Sequence, residues 1–131
     1  MNKRITLVAI LLIVIAIVLG AFGAHALKEL ISEKYQHTFE TGVRYQMYMG
    51  VSLLIIGLNY ANIGISSKLP IRLIIVGVLL FSFSLYLIAI QEIIGKLTFL
   101  GPITPIGGLL MILGWMLIFI RILKIKILSN N

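Results

Sequence analysis

The stretch Gly20-Ala21-Phe22-Gly23-Ala24-His25-Ala26-Leu27 separates two unlike parts of the chain. Before it, residues 5–24 are apolar apart from Thr6, and after it comes the first segment that carries charges of both signs. At about 1.5 Å rise per residue, such a run crosses a hydrocarbon core of roughly 30 Å. The sequence therefore predicts a first transmembrane helix over residues 5–24.

The same beginning also fits a secretory signal peptide. Lys3 and Arg4 form a basic start, an apolar run follows, and Ala24-His25-Ala26 matches an A-x-A cleavage site. Further apolar runs follow in the chain, and a multispanning protein can retain its first helix as an anchor. The uncleaved interpretation is therefore favoured.

Composition indicates lipid as the solvent. Of the 131 residues, 60% are hydrophobic and 11% are charged, against about 25% charged in soluble domains. Three more apolar runs have the length of a span, at residues 43–62, 71–90 and 105–122. We predict an all-α membrane protein, a single domain over residues 1–131 with four transmembrane helices in a compact bundle.

Between the first two spans, residues 26–41 are the longest polar segment. Apolar side chains recur near helical spacing there, at Leu27, Leu30, Ile31, Tyr35 and Phe39. The pattern predicts an amphipathic helix at the membrane interface, with a solvated connector as the alternative. Helix starts are predicted at Pro70, in a first turn, and at Thr104-Pro105, as N-cap and N1.

The net charge of +7 comes from 11 Lys and Arg against four acidic residues. No basic cluster alternates with aromatics, so nucleic acid is not an expected partner. With a cytoplasmic N-terminus, seven basic residues lie inside and four outside, and all four Glu lie outside. The positive-inside rule then places both termini in the cytoplasm.

The residue inventory argues against several kinds of site. The chain has no Cys and only two His, His25 and His37, so we expect no metal and no cofactor. Ser82 and Ser84 lack the glycine-flanked turn of a hydrolase nucleophile. No catalytic residue is assigned.

The predicted topology brings polar residues of distant segments to one level, the outer mouth of the bundle. This candidate cluster consists of His25, Glu40, Arg44, Gln46, Glu92 and Thr104. The alternative is that these residues only cap and anchor helix ends. Small residues predict close helix packing, within the chain or in a homodimer, at Gly20, Gly23, Ala24, Gly57, Gly107, Gly108 and Gly114.

Three sequence blocks together resemble one family. They are GAFGAHAL at 20–27, TGVRYQMY at 41–48, and the pair FSFSLYLIAI at 81–90 with TPIGGLLMILGW at 104–115. The blocks resemble the YwdK/YgdD-like family of small bacterial integral membrane proteins. The resemblance implies a four-helix protein of the bacterial cytoplasmic membrane and carries over no catalytic assignment. Met49 stands where the family usually has a His, which argues against a paired-histidine site with His25.

Three functions compete at this point. The first is a non-enzymatic protein that packs against itself or a membrane-complex partner, with lipid around it. The second is a small oligomeric transporter or channel that uses the polar outer mouth. The third is an outer-leaflet lipid- or peptide-modifying enzyme with His25 or Glu40 as its base.

Overall fold

In the computed structural model, four long helices carry the fold. They are α1 (Lys3–Phe22), α2 (Glu33–Leu58), α3 (Leu69–Ala89) and α5 (Ile103–Ser129), with a short α4 (Gln91–Ile94) between the last two. A π-helical turn covers Gly23–Leu27 and a 3₁₀ turn Thr98–Leu100. The structure describes residues 1–64 and 67–129, with side chains up to residue 124, and all regular elements in these ranges are helical.

Within the described residues, three helical segments, not four, are long and apolar enough to cross a membrane. They are Lys3–Leu27, Leu69–Ala89 and Thr98–Lys124. The predicted span over residues 43–62 is not among them, because its helix runs from Glu33 to Leu58 and carries Arg44 and Gln46 within the region counted as apolar. These polar groups lower the hydropathy of α2 below that of its neighbours.

The separate amphipathic helix is also corrected. The π-helical turn continues α1 to Leu27, and α2 then runs unbroken from Glu33 past Thr41. Tyr35, Phe39 and Gln46 follow one another at spacings of one or two helical turns, so they share one face of α2. The apolar pattern at residues 35–39 is therefore the beginning of the face that α2 buries.

The long helices form a row in chain order instead of a closed bundle. In the described residues, the backbone of α1 approaches that of α2, α2 approaches α3, and α3 approaches α5, whereas α1 comes close to neither α3 nor α5. The Asn2 amide donates to the Gly57 carbonyl at 2.7 Å, so α1 and α2 are antiparallel. Arg121 Nε donates to the Gly64 carbonyl at 3.2 Å, which places the end of α5 beside the α2–α3 turn.

Two apolar clusters hold the row together. The larger joins all four long helices through Ile5, Ala9, Leu12, Leu53, Ile56, Ile71, Ile74, Val78, Met111 and Ile118. The smaller lies at the other end and contains Leu27, Ile31, Phe39 and Ala89. Within it, Leu27 is only 2% exposed. The junction at residues 20–27 therefore packs against α2 and α3 as part of the folded protein.

Of the two predicted helix starts, the one at Pro70 is confirmed and the one at Thr104 is wrong. Pro70 lies in the first turn of α3, as predicted. Thr104 is not an N-cap, because α5 already begins at Ile103. Its hydroxyl instead lies 2.7 Å from that of Ser84, a partner on another helix that the local sequence pattern does not reveal.

Candidate functional site

A polar network lies between α1, α2 and α3 and is centred on Gln46, which is 5% exposed. Its Nε2 donates to the Leu12 carbonyl at 2.9 Å, and its Oε1 accepts a hydrogen bond from the Tyr86 hydroxyl at 2.9 Å. One helical turn toward the start of α2, Ser82 Oγ donates to the Gly42 carbonyl at 2.9 Å. The buried polar side chains thus tie three helices together.

Two further ties involve predicted site residues. The Glu92 carboxylate accepts from the Ser32 amide at 2.7 Å and from the Ser32 hydroxyl at 2.9 Å. Ser32 precedes α2, so the carboxylate lies at the positive end of that helix. The Ser84–Thr104 contact joins α3 to α5. Both ties connect segments that are distant in sequence.

The charged residues of the predicted cluster on α2, Glu40 and Arg44, lie on the exposed side of that helix. Glu40 lies 3.7 Å from Arg44 and 3.7 Å from His37, and His37 is 3.7 Å from Glu33. Exposed pairs of this kind contribute at most about 1 kcal/mol each. His25 lies exposed in the π-helical turn and takes part in none of the hydrogen bonds or ion pairs between described side chains.

The six residues of the predicted outer-mouth cluster are thus distributed over separate contacts. In the described part of the chain, Glu40 and Arg44 are the two members whose side chains meet. No group of three His, Asp or Glu side chains there converges in a way that would hold a metal ion. A single site built from all six residues remains a prediction from sequence.

Sequence reasoning did not find Tyr86 and Ser82 as partners in the central network. Their spacing of four residues on α3 could have indicated that they act together, because it puts both side chains on the face toward α2. A tyrosine and a serine on one face of an apolar helix need hydrogen-bond partners inside a membrane. The register of α2 against α3, which supplies those partners, is a tertiary property.

The glycines on the predicted list lie in different surroundings. A Cβ atom at Gly57 would lie 2.7 Å from Thr6 Oγ1, and one at Gly107 would lie 2.5 Å from the Phe81 backbone nitrogen. Gly23 and Gly114 are similarly crowded by Phe39 and by Ile74, and Gly20 less tightly by Val43. A Cβ at Gly108 meets only the Phe81 ring, at 3.8 Å, and Ala24 is exposed.

Two of the grooves along the described part of the row are lined mainly by apolar side chains. The α1/α3 groove, with α2 as its floor, has a volume of about 470 Å³ and is lined by residues that include Leu19, Gln46, Ser82, Phe83 and Leu87. The α2/α5 groove, with α3 as its floor, has about 390 Å³ and is lined by Tyr45, Met49, Phe81, Gly108, Met111, Ile112, Trp115 and Met116. In the second groove, Trp115 Nε1 donates to the Met49 sulfur at 3.3 Å.

Residues 19–108 match the family described as "Protein of unknown function (DUF423)". A UPF0382 membrane protein of Staphylococcus haemolyticus is 45% identical over 105 residues, which cover 80% of this chain and 83% of that protein. The UPF0382 membrane protein YwdK of Bacillus subtilis is 38% identical over 112 residues, which cover 84% and 88% of the two chains. No solved structure matches the chain.

The resemblance seen in the sequence blocks is therefore confirmed, and so is the assignment to the bacterial cell membrane, since these relatives are named membrane proteins and three helices here can span a bilayer. The chain belongs to the DUF423 family, the UPF0382 membrane proteins of bacteria.

Proposed function

We propose that the protein is a non-enzymatic interaction protein of the cell membrane that associates with a second copy of itself through the α2/α5 groove. Gly108 carries the proposal. Gly57 and Gly107 are closely covered by neighbours within the chain, whereas Gly108 opens into this groove. Glycine on an accessible helix face lets another helix approach closely in a membrane.

The place of α5 in the row supports self-association. Among the long helices, α3 is the one whose backbone approaches that of α5 in the described residues, so much of the surface of α5 faces outward. Ile112 and Met116 lie on its groove side and are 61% and 49% exposed. A two-fold axis along the membrane normal would bring the same surface of two copies together. The flexible Met side chains of the groove suit such a contact.

The transporter and the lipid- or peptide-modifying enzyme have no comparable support. Gln46, Glu92 and Thr104 use their polar atoms for ties between helices of the same chain. Glu40 and Arg44 pair with each other on the exposed side of α2. These contacts assign the residues a role in holding the helices of one chain together.

Replacing Gly108 by leucine tests self-association. The side chain would fill the α2/α5 groove without displacing the backbone, since the added Cβ has 3.8 Å of clearance from Phe81. We expect the wild-type protein, extracted in a mild detergent, to show the mass of a dimer by light scattering or native mass spectrometry. The G108L variant should shift to the mass of a monomer.

The matched control is Ala21→Leu, which enlarges an exposed small residue on α1 and should leave the dimer intact. A wild-type protein that is monomeric at all concentrations in several mild detergents contradicts the proposal. So does co-purification of a different protein in place of the second copy, because the groove would then have another occupant.

We also infer a topology in which α2 crosses the bilayer with α1, α3 and α5. Its two ends support this, because Gly57 bonds to Asn2 at one end and Phe39 packs in the cluster with Leu27 and Ala89 at the other. Four crossings put both termini on one side, and the basic residues at that end favour the cytoplasm. Lys126 is one of the seven basic residues predicted on the cytoplasmic side, and it lies outside the residues whose side chains the structure describes.

This topology predicts the behaviour of fused reporters. A fluorescent protein that folds only in the cytoplasm should be bright when attached after Asn131. Alkaline phosphatase, which folds only outside, should be active when fused after Lys96 in the α4–α5 connection. Phosphatase activity at Asn131, with fluorescence at Lys96, would contradict this topology, because either the orientation is reversed or α2 does not cross the bilayer.

A further inference from the structure

We propose that the α1/α3 groove binds one phospholipid, with an acyl chain along the groove and an anionic phosphate near Lys34. The lipid comes from the leaflet at the end of the row where Ser32 meets Glu92. This groove lies between different helices from the α2/α5 groove, so the proposal is independent of self-association.

The surface of the α1/α3 groove suits a hydrocarbon chain. Its walls are formed by Ile15, Leu19 and Phe22 of α1 and by Leu79, Phe83 and Leu87 of α3. The groove is accessible from the side, since Ile15 is 40% and Phe83 is 64% exposed. A ligand there contacts apolar side chains almost everywhere.

The polar atoms at the floor of the groove are already engaged. Gln46 uses both ends of its amide, on Leu12 and Tyr86, and the Ser82 hydroxyl donates to Gly42. Among the described residues, no buried side-chain polar atom lacks a hydrogen-bond partner. The floor therefore offers little to a polar ligand in this part of the groove.

The groove is long in the direction of α1 and open on its lipid side. Its lining on α1 extends from Leu12 to Phe22, a rise of about 15 Å. An extended acyl chain of a neighbouring lipid can lie along a groove of this length and apolar lining.

Charge and hydrogen-bonding groups at one end of the groove suit a phosphate. Tyr35 lies on the same face of α2 as Phe39, which lines the groove. The Tyr35 hydroxyl accepts a hydrogen bond from Gln91 Nε2 at 2.9 Å. Gln91 directly follows Ile90, which lines the groove. The Lys34 ammonium lies 5.7 Å from the centre of the Tyr35 ring.

The donors at this end are matched to an anion. The Tyr35 hydroxyl proton and the Lys34 ammonium both donate, and a phosphate oxygen accepts. The Glu92 carboxylate accepts hydrogen bonds from Ser32, and the Glu33 carboxylate lies on the side of His37, at 3.7 Å. Lys34 forms no ion pair within the described residues. Positive charge beside an apolar groove is thus available to a lipid headgroup.

Photo-crosslinking tests the acyl-chain part of the proposal. The protein is reconstituted in vesicles of phosphatidylethanolamine and phosphatidylglycerol that contain phosphatidylglycerol with a diazirine on one acyl chain. We expect adducts, located by mass spectrometry, to concentrate on Leu19 and Phe83. Ile15→Trp, which fills the groove, should reduce them several-fold, whereas Val14→Trp, an exposed neighbour outside the groove lining, should not.

The headgroup is tested with a second pair of variants in the same vesicles. Lys34→Gln should lower the groove adducts of the phosphatidylglycerol probe several-fold, and Lys96→Gln should leave them unchanged. Circular dichroism and a monodisperse elution profile establish that each variant is folded. The proposal would be overturned by even labelling of all lipid-facing side chains, by equal effects of I15W and V14W, or by crosslinks between two copies at Ile15. Equal effects of K34Q and K96Q would contradict the phosphate contact.

Discussion

Replacing Gly107 by alanine is expected to lower the free energy of unfolding by about 2–3 kcal/mol, the upper part of the range for overpacked interiors. The new Cβ would lie 2.5 Å from the Phe81 backbone nitrogen and 2.8 Å from the Gly77 carbonyl oxygen. Both are backbone atoms of α3, which cannot rotate away as a side chain can. The two helices must move apart.

The consequences extend along α5 because α3 is the one long helix whose backbone approaches that of α5 among the described residues. Separation at Gly107 would also loosen the contact at Gly114, which faces Ile74 and the Pro70 carbonyl. The Ser84–Thr104 bond of 2.7 Å lies near the same crossing and would lengthen. One methyl group thus affects several contacts.

Gly108→Ala is the matched control for this prediction. It makes the same chemical change one residue later, where the added methyl group is 3.8 Å from the Phe81 ring. Alanine is the better helix former by about 1 kcal/mol, so the stability of the monomer should be unchanged or slightly higher. Reversible unfolding in mixed micelles with increasing dodecyl sulfate measures both variants. Equal stabilities would contradict the close α3–α5 packing.

Replacing Gln46 by leucine is expected to lower the free energy of unfolding by about 1–2 kcal/mol. Hydrogen bonds between membrane helices contribute about 0.6 kcal/mol on average and up to about 1.7, and Gln46 makes two of them. The variant also leaves the Tyr86 hydroxyl without its acceptor in an apolar groove. Leucine has a similar size, so the loss reports mainly on polar contacts.

A double-mutant cycle isolates the Gln46–Tyr86 bond. Tyr86→Phe alone removes the hydroxyl and retains the ring, which packs 4.9 Å from the Phe39 ring centre. The double variant Gln46→Leu, Tyr86→Phe should be less destabilised than the sum of the two single variants, since directly bonded residues are coupled. Tyr48→Phe, at an exposed tyrosine on α2, serves as the control. Additive losses would show that the two side chains do not interact.

Hydropathy located three of the long helices well. The first predicted span, residues 5–24, overlaps Lys3–Phe22 and its π-helical turn, and residues 71–90 and 105–122 lie almost wholly within Leu69–Ala89 and Ile103–Ser129. These helices have to satisfy their backbone groups internally in lipid and present apolar side chains to it. Composition alone is sufficient for that inference.

Hydropathy does not describe the second helix, α2, equally well. α2 packs between α1 and α3, so its neighbours shield part of its surface from lipid. Arg44 can therefore lie within the helix on its exposed side, and Gln46 can lie buried with two partners. A hydropathy window averages over these two positions and cannot tell that only one of them needs a partner inside the protein.

By itself, the sequence determined the solvent of this protein, its helical class and its family, because chain-wide hydrophobicity and the blocks at 20–27, 41–48, 81–90 and 104–115 do not depend on contacts. The tertiary structure decided that the helices form a row, that Gln46 and Thr104 tie helices together, and that Gly107 is covered while Gly108 is open. The junction at residues 20–27 illustrates both: its sequence predicts a helix end, and the close packing of its Gly23 against Phe39 follows from the position of α2. Gly107 and Gly108 are adjacent residues of the same type. They differ only in which atoms of the facing helix lie beside them, and this depends on how α5 is aligned along α3.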